Sequence, residues 1–148
     1  MADNEFKELH DLLLGIMGLF YEKFLCKFRK ESPNYPGVKK NHIRIMIFIY
    51  KNLALTASEI AKKLNMEKGS VTTLIDQLEK YGLVVRCSVP NDRRKTIICL
   101  TDTGKTEIED TIKNSIQCIS TILADSKPEE LQKFSDSLRY AVDFIQKI

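Results

Sequence analysis

Between Leu55 and Thr101 two short amphipathic helical patterns stand almost back to back, followed by two β-branched runs around a cationic turn, and that order leaves few folds open. The first pattern has Ile60, Ala61 and Leu64 at i, i+1 and i+4. Thr56 and Glu59 open it in the S/T-x-x-E spacing, in which hydroxyl and carboxylate each satisfy a backbone N–H that a helix start leaves without a partner. The second has Val71, Leu74, Ile75 and Leu78 at i, i+3, i+4 and i+7, with Gly82 just beyond, where a left-handed closing residue is wanted. The few residues between them, Asn65 and Met66 included, allow only a tight turn between crossed helices. Leu83 to Val89 and Thr96 to Leu100 then read as a hairpin joined by PNDRRK, whose tip sets Arg93, Arg94 and Lys95 against the single acid Asp92.

The face of the second helix opposite its apolar stripe carries Lys68, Ser70, Thr72, Thr73, Gln77 and Lys80. A polar helix beside a cationic hairpin suits double-stranded DNA, because the helix fits the major groove while the hairpin tip reaches the narrower flanking groove. Ser70, Thr72, Thr73 and Gln77 are candidates for base edges or nearby phosphates; a merely solvated face is the competing reading. Thr56, Ser58 and Lys68 lie at helix starts, where N–H groups and the dipole favour phosphate, although capping alone accounts for Thr56. Arg86, Arg93, Arg94 and Lys95 are the hairpin candidates. Net charge over the chain is only +3, yet Lys39 to Thr101 holds 12 basic and 5 acidic residues while both flanks are mildly acidic.

These residues resemble the MarR family of winged helix-turn-helix transcriptional regulators. The likeness is most specific in D-x-R-x-x-x-x-x-L-T, present as Asp92, Arg94, Leu100 and Thr101, with Gly104 completing LTxxG. The resemblance implies that Arg94 enters the minor groove and that Asp92 stabilises the wing tip by pairing with it. It further implies a repressor acting as a homodimer on a pseudo-palindromic operator and released by an unidentified small-molecule effector. The chain departs from the family pattern at Glu67, where Ser commonly opens the recognition helix, and at Thr73, where Arg often follows the V-T pair. No operator sequence carries over through those two positions.

Outside this segment the spacing predicts long amphipathic helices. Phe6 to Phe28 reads as one helix with Phe6, Leu9, Leu13, Ile16, Phe20, Phe24 and Phe28 along a stripe. It is either an ordinary core helix or one buried against a second subunit, and Gly15 and Gly18 suggest a close helix approach or a bend. Glu31 to Asn41 is a Pro/Gly loop that marks a lobe boundary. His42 to Tyr50 is apolar enough for a buried helix or a buried strand, and the helix-turn-helix that follows favours the helix. After the wing, Thr101 caps a helix with Ile108, Ile112, Ile116, Ile119 and Leu123 on one side, and Pro128 opens a last one bearing Leu131, Phe134, Leu138, Val142, Ile145 and Ile148. The expected fold is therefore mainly α with a small β-hairpin wing. Within 1–148 as a single domain, 39–101 forms the winged-helix DNA-binding lobe, and 1–38 and 102–148 supply dimerisation helices. Phe6, Leu9, Leu13, Ile16, Phe20, Leu131, Phe134, Leu138, Val142 and Ile145 are the expected dimer contacts.

Other function classes find little support. There is no H-E-x-x-H, Gly-rich phosphate loop or G-x-S-x-G, and the two histidines, His10 and His42, are far apart, so no catalytic residue, metal or cofactor is expected. Cys26, Cys87, Cys99 and Cys118 show neither C-x-x-C nor zinc spacing. Cys26 lies near Lys23, Lys27, Arg29 and Lys30, which would favour a thiolate, so a redox-sensing regulator switched through Cys26 is an alternative, as is a winged helix that binds protein partners. No apolar stretch is long enough to span a membrane and the N-terminus lacks a signal-peptide pattern, which places the protein in the cytoplasm.

Overall fold

Burial of one stripe per helix decides the architecture. The computed structural model describes residues 3–25, 27, 32 and 34–148. Its elements are α1 (Asp3–Phe20), a π-helical turn (Tyr21–Leu25), α2 (Lys40–Asn52), β1 (Ala54–Leu55), α3 (Ala57–Leu64), α4 (Lys68–Lys80), β2 (Val84–Val89), β3 (Asp92–Leu100), α5 (Asp102–Ile122) and α6 (Pro128–Ile145). They form two compact units, one of residues 27–116 and one of residues 1–26 with 117–148. The first unit is thus larger than 39–101, because it takes in the start of α5 and the described residues that precede α2.

In the unit 27–116, α2, α3, α4 and the sheet enclose one core. Ile45, Met46 and Ile49 of α2 meet Ile60 of α3, Val71, Ile75 and Leu78 of α4, and Ile98 of β3, all at most 2% exposed. Each such side chain contributes about 1.5–3 kcal/mol by leaving water. The apolar run at 42–50 is helical, as its neighbours favoured. The sheet has the order β1-β3-β2, all antiparallel, with Ala54 opposite Cys99 and Leu55 opposite Ile98. β1 was absent from the sequence reading because two residues carry no periodicity. The described part of the loop before α2 is no free boundary: buried Glu107 of α5 accepts hydrogen bonds from Ser32 Oγ and from Asn34 Nδ2 (3.0 Å), which fasten it to α5.

The second unit carries apolar surface without a cover. No residue of α6 is buried, and Phe6, Leu9, Leu13, Ile16 and Phe20 of α1 are all about half exposed. Phe20, Phe24, Leu131, Phe134 and Leu138 line an apolar groove of about 440 Å³. The single helix expected over Phe6 to Phe28 ends at Phe20, where the π-helical turn adds a residue to the repeat, and Phe28 lies outside the described residues. A Cβ at Gly15 or Gly18 would meet nothing within 4 Å, so within one chain neither glycine serves a close approach.

Candidate nucleic-acid interface

The polar face of α4 is presented by what lies on either side of it. At the entrance, Thr56 Oγ1 accepts the Glu59 N–H (3.2 Å) while Glu59 Oε2 accepts the Thr56 N–H (2.7 Å), so Thr56 is committed to its capping box. Asn65 closes α3 at φ 51, a left-handed position that asparagine tolerates, and its N–H returns to the Ala61 and Lys62 carbonyls. The hydrogen bonds from Thr56, backbone first, hold the Glu59 carboxyl below its ordinary 4.5, with Lys95 and Lys63 adding to the shift. A carboxyl depressed on folding contributes stability above its unfolded value and loses it as the pH falls through the folded one. Between about pH 6 and about pH 3, Glu59→Gln should therefore lose less melting temperature than the wild type. Parallel slopes would mean that the box is not formed.

Burial of Val71, Ile75 and Leu78 turns Lys68, Ser70, Thr73 and Gln77 outward, with Thr72 half-buried. The Thr72 and Thr73 hydroxyls donate to the Lys68 and Gly69 carbonyls (2.9 and 3.1 Å). With their protons so committed, the two oxygens are left as acceptors, suited to a base amino group and unsuited to a phosphate without rotation. Gln77 is held by a partner that the sequence reading missed. The Lys39 N–H donates to His42 Nδ1 (3.1 Å), which leaves the proton on Nε2 to donate to Gln77 Oε1 (2.7 Å). Gln77 therefore ties α4 to α2 and keeps only its amino end for an outside contact.

The far end of α4 is a closed Schellman turn. Gly82 sits at φ 69, its N–H bonds the Glu79 carbonyl (2.9 Å), and the Leu83 N–H bonds the Leu78 carbonyl (3.0 Å). Thr101 then clamps this turn. Its N–H donates to Leu83 O (3.1 Å), its hydroxyl donates to Gly82 O (2.6 Å), and the same hydroxyl accepts the Gly104 N–H (3.0 Å) to cap α5. Gly104 has no room for a side chain, because a Cβ there would lie 2.0 Å from Leu83 O. The LTxxG stretch is thus the joint that fixes the end of α4 against the start of α5.

The wing departs from the expected hairpin in one respect. The connection is a turn at Pro90–Asn91, and the residues from Asp92 on belong to β3. Ser88 pairs with Thr96 but Val89 with Asp92, so β3 carries three residues more than β2 across that step. Those three are Arg93, Arg94 and Lys95, all exposed. A bulge consequently gathers the cations at the tip and keeps them out of the ladder. Asp92 supports it through the backbone: its Oδ1 accepts the Arg94 N–H at 3.1 Å, in place of the expected pairing with the guanidinium. Arg86 is placed differently from the tip. Its guanidinium pairs with Asp76 (2.6 Å) and Glu79 of α4, and hydrogen bonding to Asp76, ahead of the pull of the two charges, raises its pKa further. Asp76 and Glu79 at i, i+3 were the sequence signal for that brace of wing to helix. Ser58 is exposed in the first turn of α3, and Cys26 lies outside the described residues.

A helix-turn-helix braced against a three-stranded antiparallel sheet with a protruding cationic bulge defines a winged helix-turn-helix protein. Residues 39–96 match the MarR family. The uncharacterized HTH-type transcriptional regulator YdgJ of Bacillus subtilis is 30% identical over 102 residues, 69% of this chain and 62% of that protein. The chain spans about three fifths of the length of the first curated relatives it matches. A MarR family protein from Bacillus stearothermophilus superposes with a TM-score of 0.79 at 23% identity, over 99% of both chains. FabT of Streptococcus pneumoniae, solved in complex with DNA, superposes with a TM-score of 0.72 at 19% identity, over 96% of this chain and 98% of that one. The chain belongs to the MarR family. No helix among the described residues is long and apolar enough to cross a membrane.

Proposed function

We propose that this chain binds double-stranded DNA sequence-specifically as a homodimer and acts in the cytoplasm as a transcriptional repressor, without catalysis or cofactor, released by a small-molecule effector. The bulge carries the reading: Arg93, Arg94 and Lys95 protrude together in the same unit as the helix whose exposed residues include Lys68, Ser70 and Thr73. Arg94 is the minor-groove residue, with its flanking cations on phosphates. Ser70, Thr72 and Thr73 face base edges, Lys68 and Ser58 face phosphates, and Thr56 and Arg86 hold the frame. The DNA seen on FabT, a protein of the same fold, supports the assignment. Two copies related by a two-fold axis would set their α4 helices into successive major grooves about 34 Å apart, which calls for an inverted repeat. Release follows if an effector binds better to a dimer whose α4 spacing is wrong for that repeat.

The deciding experiment compares wild type and Arg94→Ala on a duplex selected from random DNA and on a scrambled one, across a salt series. We expect tight, salt-sensitive wild-type binding to the selected duplex alone. Arg94→Ala should bind it about 10-fold or more weakly and with a shallower salt slope. Failure of selection to enrich any sequence, or an unchanged affinity of the variant, would overturn the reading.

A further inference from the structure

The sheet brings two cysteines together that the sequence keeps 12 positions apart. Val85 lies opposite Cys99 and Cys87 opposite Ile97, so Cys87 and Cys99 are diagonal neighbours on one face of the β2–β3 pair. The other face carries Val84, Ile98 and Leu100 into the core. Both cysteines are free and half-buried, within reach of a small solute yet not fully hydrated. The register that makes them neighbours depends on the bulge, since continuing the Val89–Asp92 pairing down the hairpin would set Cys87 opposite Arg94.

We propose that Cys87 and Cys99 form a dithiol site that a hydroperoxide converts into an intrachain disulfide across the wing. The peroxide oxygen transfers to the Cys87 sulfur, giving a sulfenic acid and releasing the alcohol, or water from hydrogen peroxide. The Cys99 sulfur then attacks the Cys87 sulfur, and the hydroxyl leaves as water with the proton of Cys99. Two thiols lose two hydrogens, and the O–O bond takes up the two electrons.

The order of attack follows from the pair. Burial, then the neighbouring Cys87 and its hydrogen bond, hold the Cys99 thiol above its ordinary value, against the opposing pull of Lys105. With its thiol held protonated, Cys99 is the poorer nucleophile, so the first attack on the oxidant falls to Cys87 and Cys99 resolves it. Diagonal residues stand about 7–8 Å apart at Cα, beyond the usual 4.4–6.8 Å span of a disulfide. Closure must therefore shear the two strands locally against a ladder that the core holds in register, and the bond formed is strained and easily reduced, as reversible disulfides are. The site does not depend on the DNA-binding reading.

The test treats the full chain with a slight excess of hydrogen peroxide, blocks remaining thiols with N-ethylmaleimide and maps the unreduced tryptic digest by mass spectrometry. Cleavage after Arg86, Arg93, Lys95 and Lys105 puts the two cysteines on separate peptides. We expect those peptides joined, and separated again by dithiothreitol; in Cys87→Ser, Cys99 should be recovered as the alkylated thiol. Recovery of both wild-type cysteines as alkylated thiols, or as separate sulfinic acids, would overturn the proposal. If Cys87→Ser does not fold, the wild-type map decides alone.

Discussion

Gly104→Ala should lower the stability of the unit 27–116 by about 3 kcal/mol, a large share of what a domain of that size has. The added methyl would stand 2.0 Å from the Leu83 carbonyl oxygen, and neither side can yield cheaply. Leu83 is fully buried, its carbonyl already accepts the Thr101 N–H, and Gly82 before it is held in the Schellman turn that ends α4. Displacing α5 instead would break the Thr101 cap and its bond to Gly82. Gly69→Ala is the control, because a Cβ there meets nothing; it should be neutral or stabilising by at most about 1 kcal/mol. Urea unfolding of the three proteins gives both numbers. A Gly104→Ala midpoint equal to that of Gly69→Ala would show that LTxxG is no joint.

Val142→Asp should turn the dimer into a monomer and weaken operator binding about 100-fold or more. Val142 is 51% exposed in the single chain, so a carboxylate there leaves the chain's own fold intact. In the proposed dimer the same carboxylate would be buried without a partner, which costs several kcal/mol per subunit. The surrounding surface makes an uncovered state improbable in water: Phe134, Leu138 and Ile145 on α6 and Leu9, Leu13 and Ile16 on α1 are all between about two fifths and three fifths exposed. Sedimentation at micromolar protein and titration of the selected duplex read the two effects. A variant that stays dimeric and binds as before would move the subunit interface elsewhere.

Local chemistry was legible wherever one segment carried the whole signal. Thr56 and Glu59 announced α3, Val71 to Leu78 gave the buried face of α4, and Gly82 marked its end, because caps, periodicity and a left-handed glycine are written within a few residues. The His42–Gln77 bond, the seat of Glu107 on Ser32 and Asn34, and the contact of Gly104 with Leu83 join positions 21 to 75 residues apart or hang on a backbone approach. No spacing encodes those. Arg86 falls between the two cases, since its charge and the acids Asp76 and Glu79 stand in the sequence but no spacing joins them, and a cation read alone looks like a DNA contact. Phe6 to Phe28 kept its apolar stripe across Phe20 and Phe24, so the pattern gave no sign that the helix changes pitch at Tyr21.

The surplus of three residues in β3 bears on how such a wing can vary. In a regular hairpin one inserted residue would turn every following side chain to the opposite face. Here the ladder from Val84–Leu100 to Ser88–Thr96 is fixed by the core, and the excess is taken up beyond it. Residues can be gained, lost or exchanged at the tip while Val84, Ile98 and Leu100 stay seated. The part of the wing that would choose a binding site can therefore diverge between relatives faster than the part that folds.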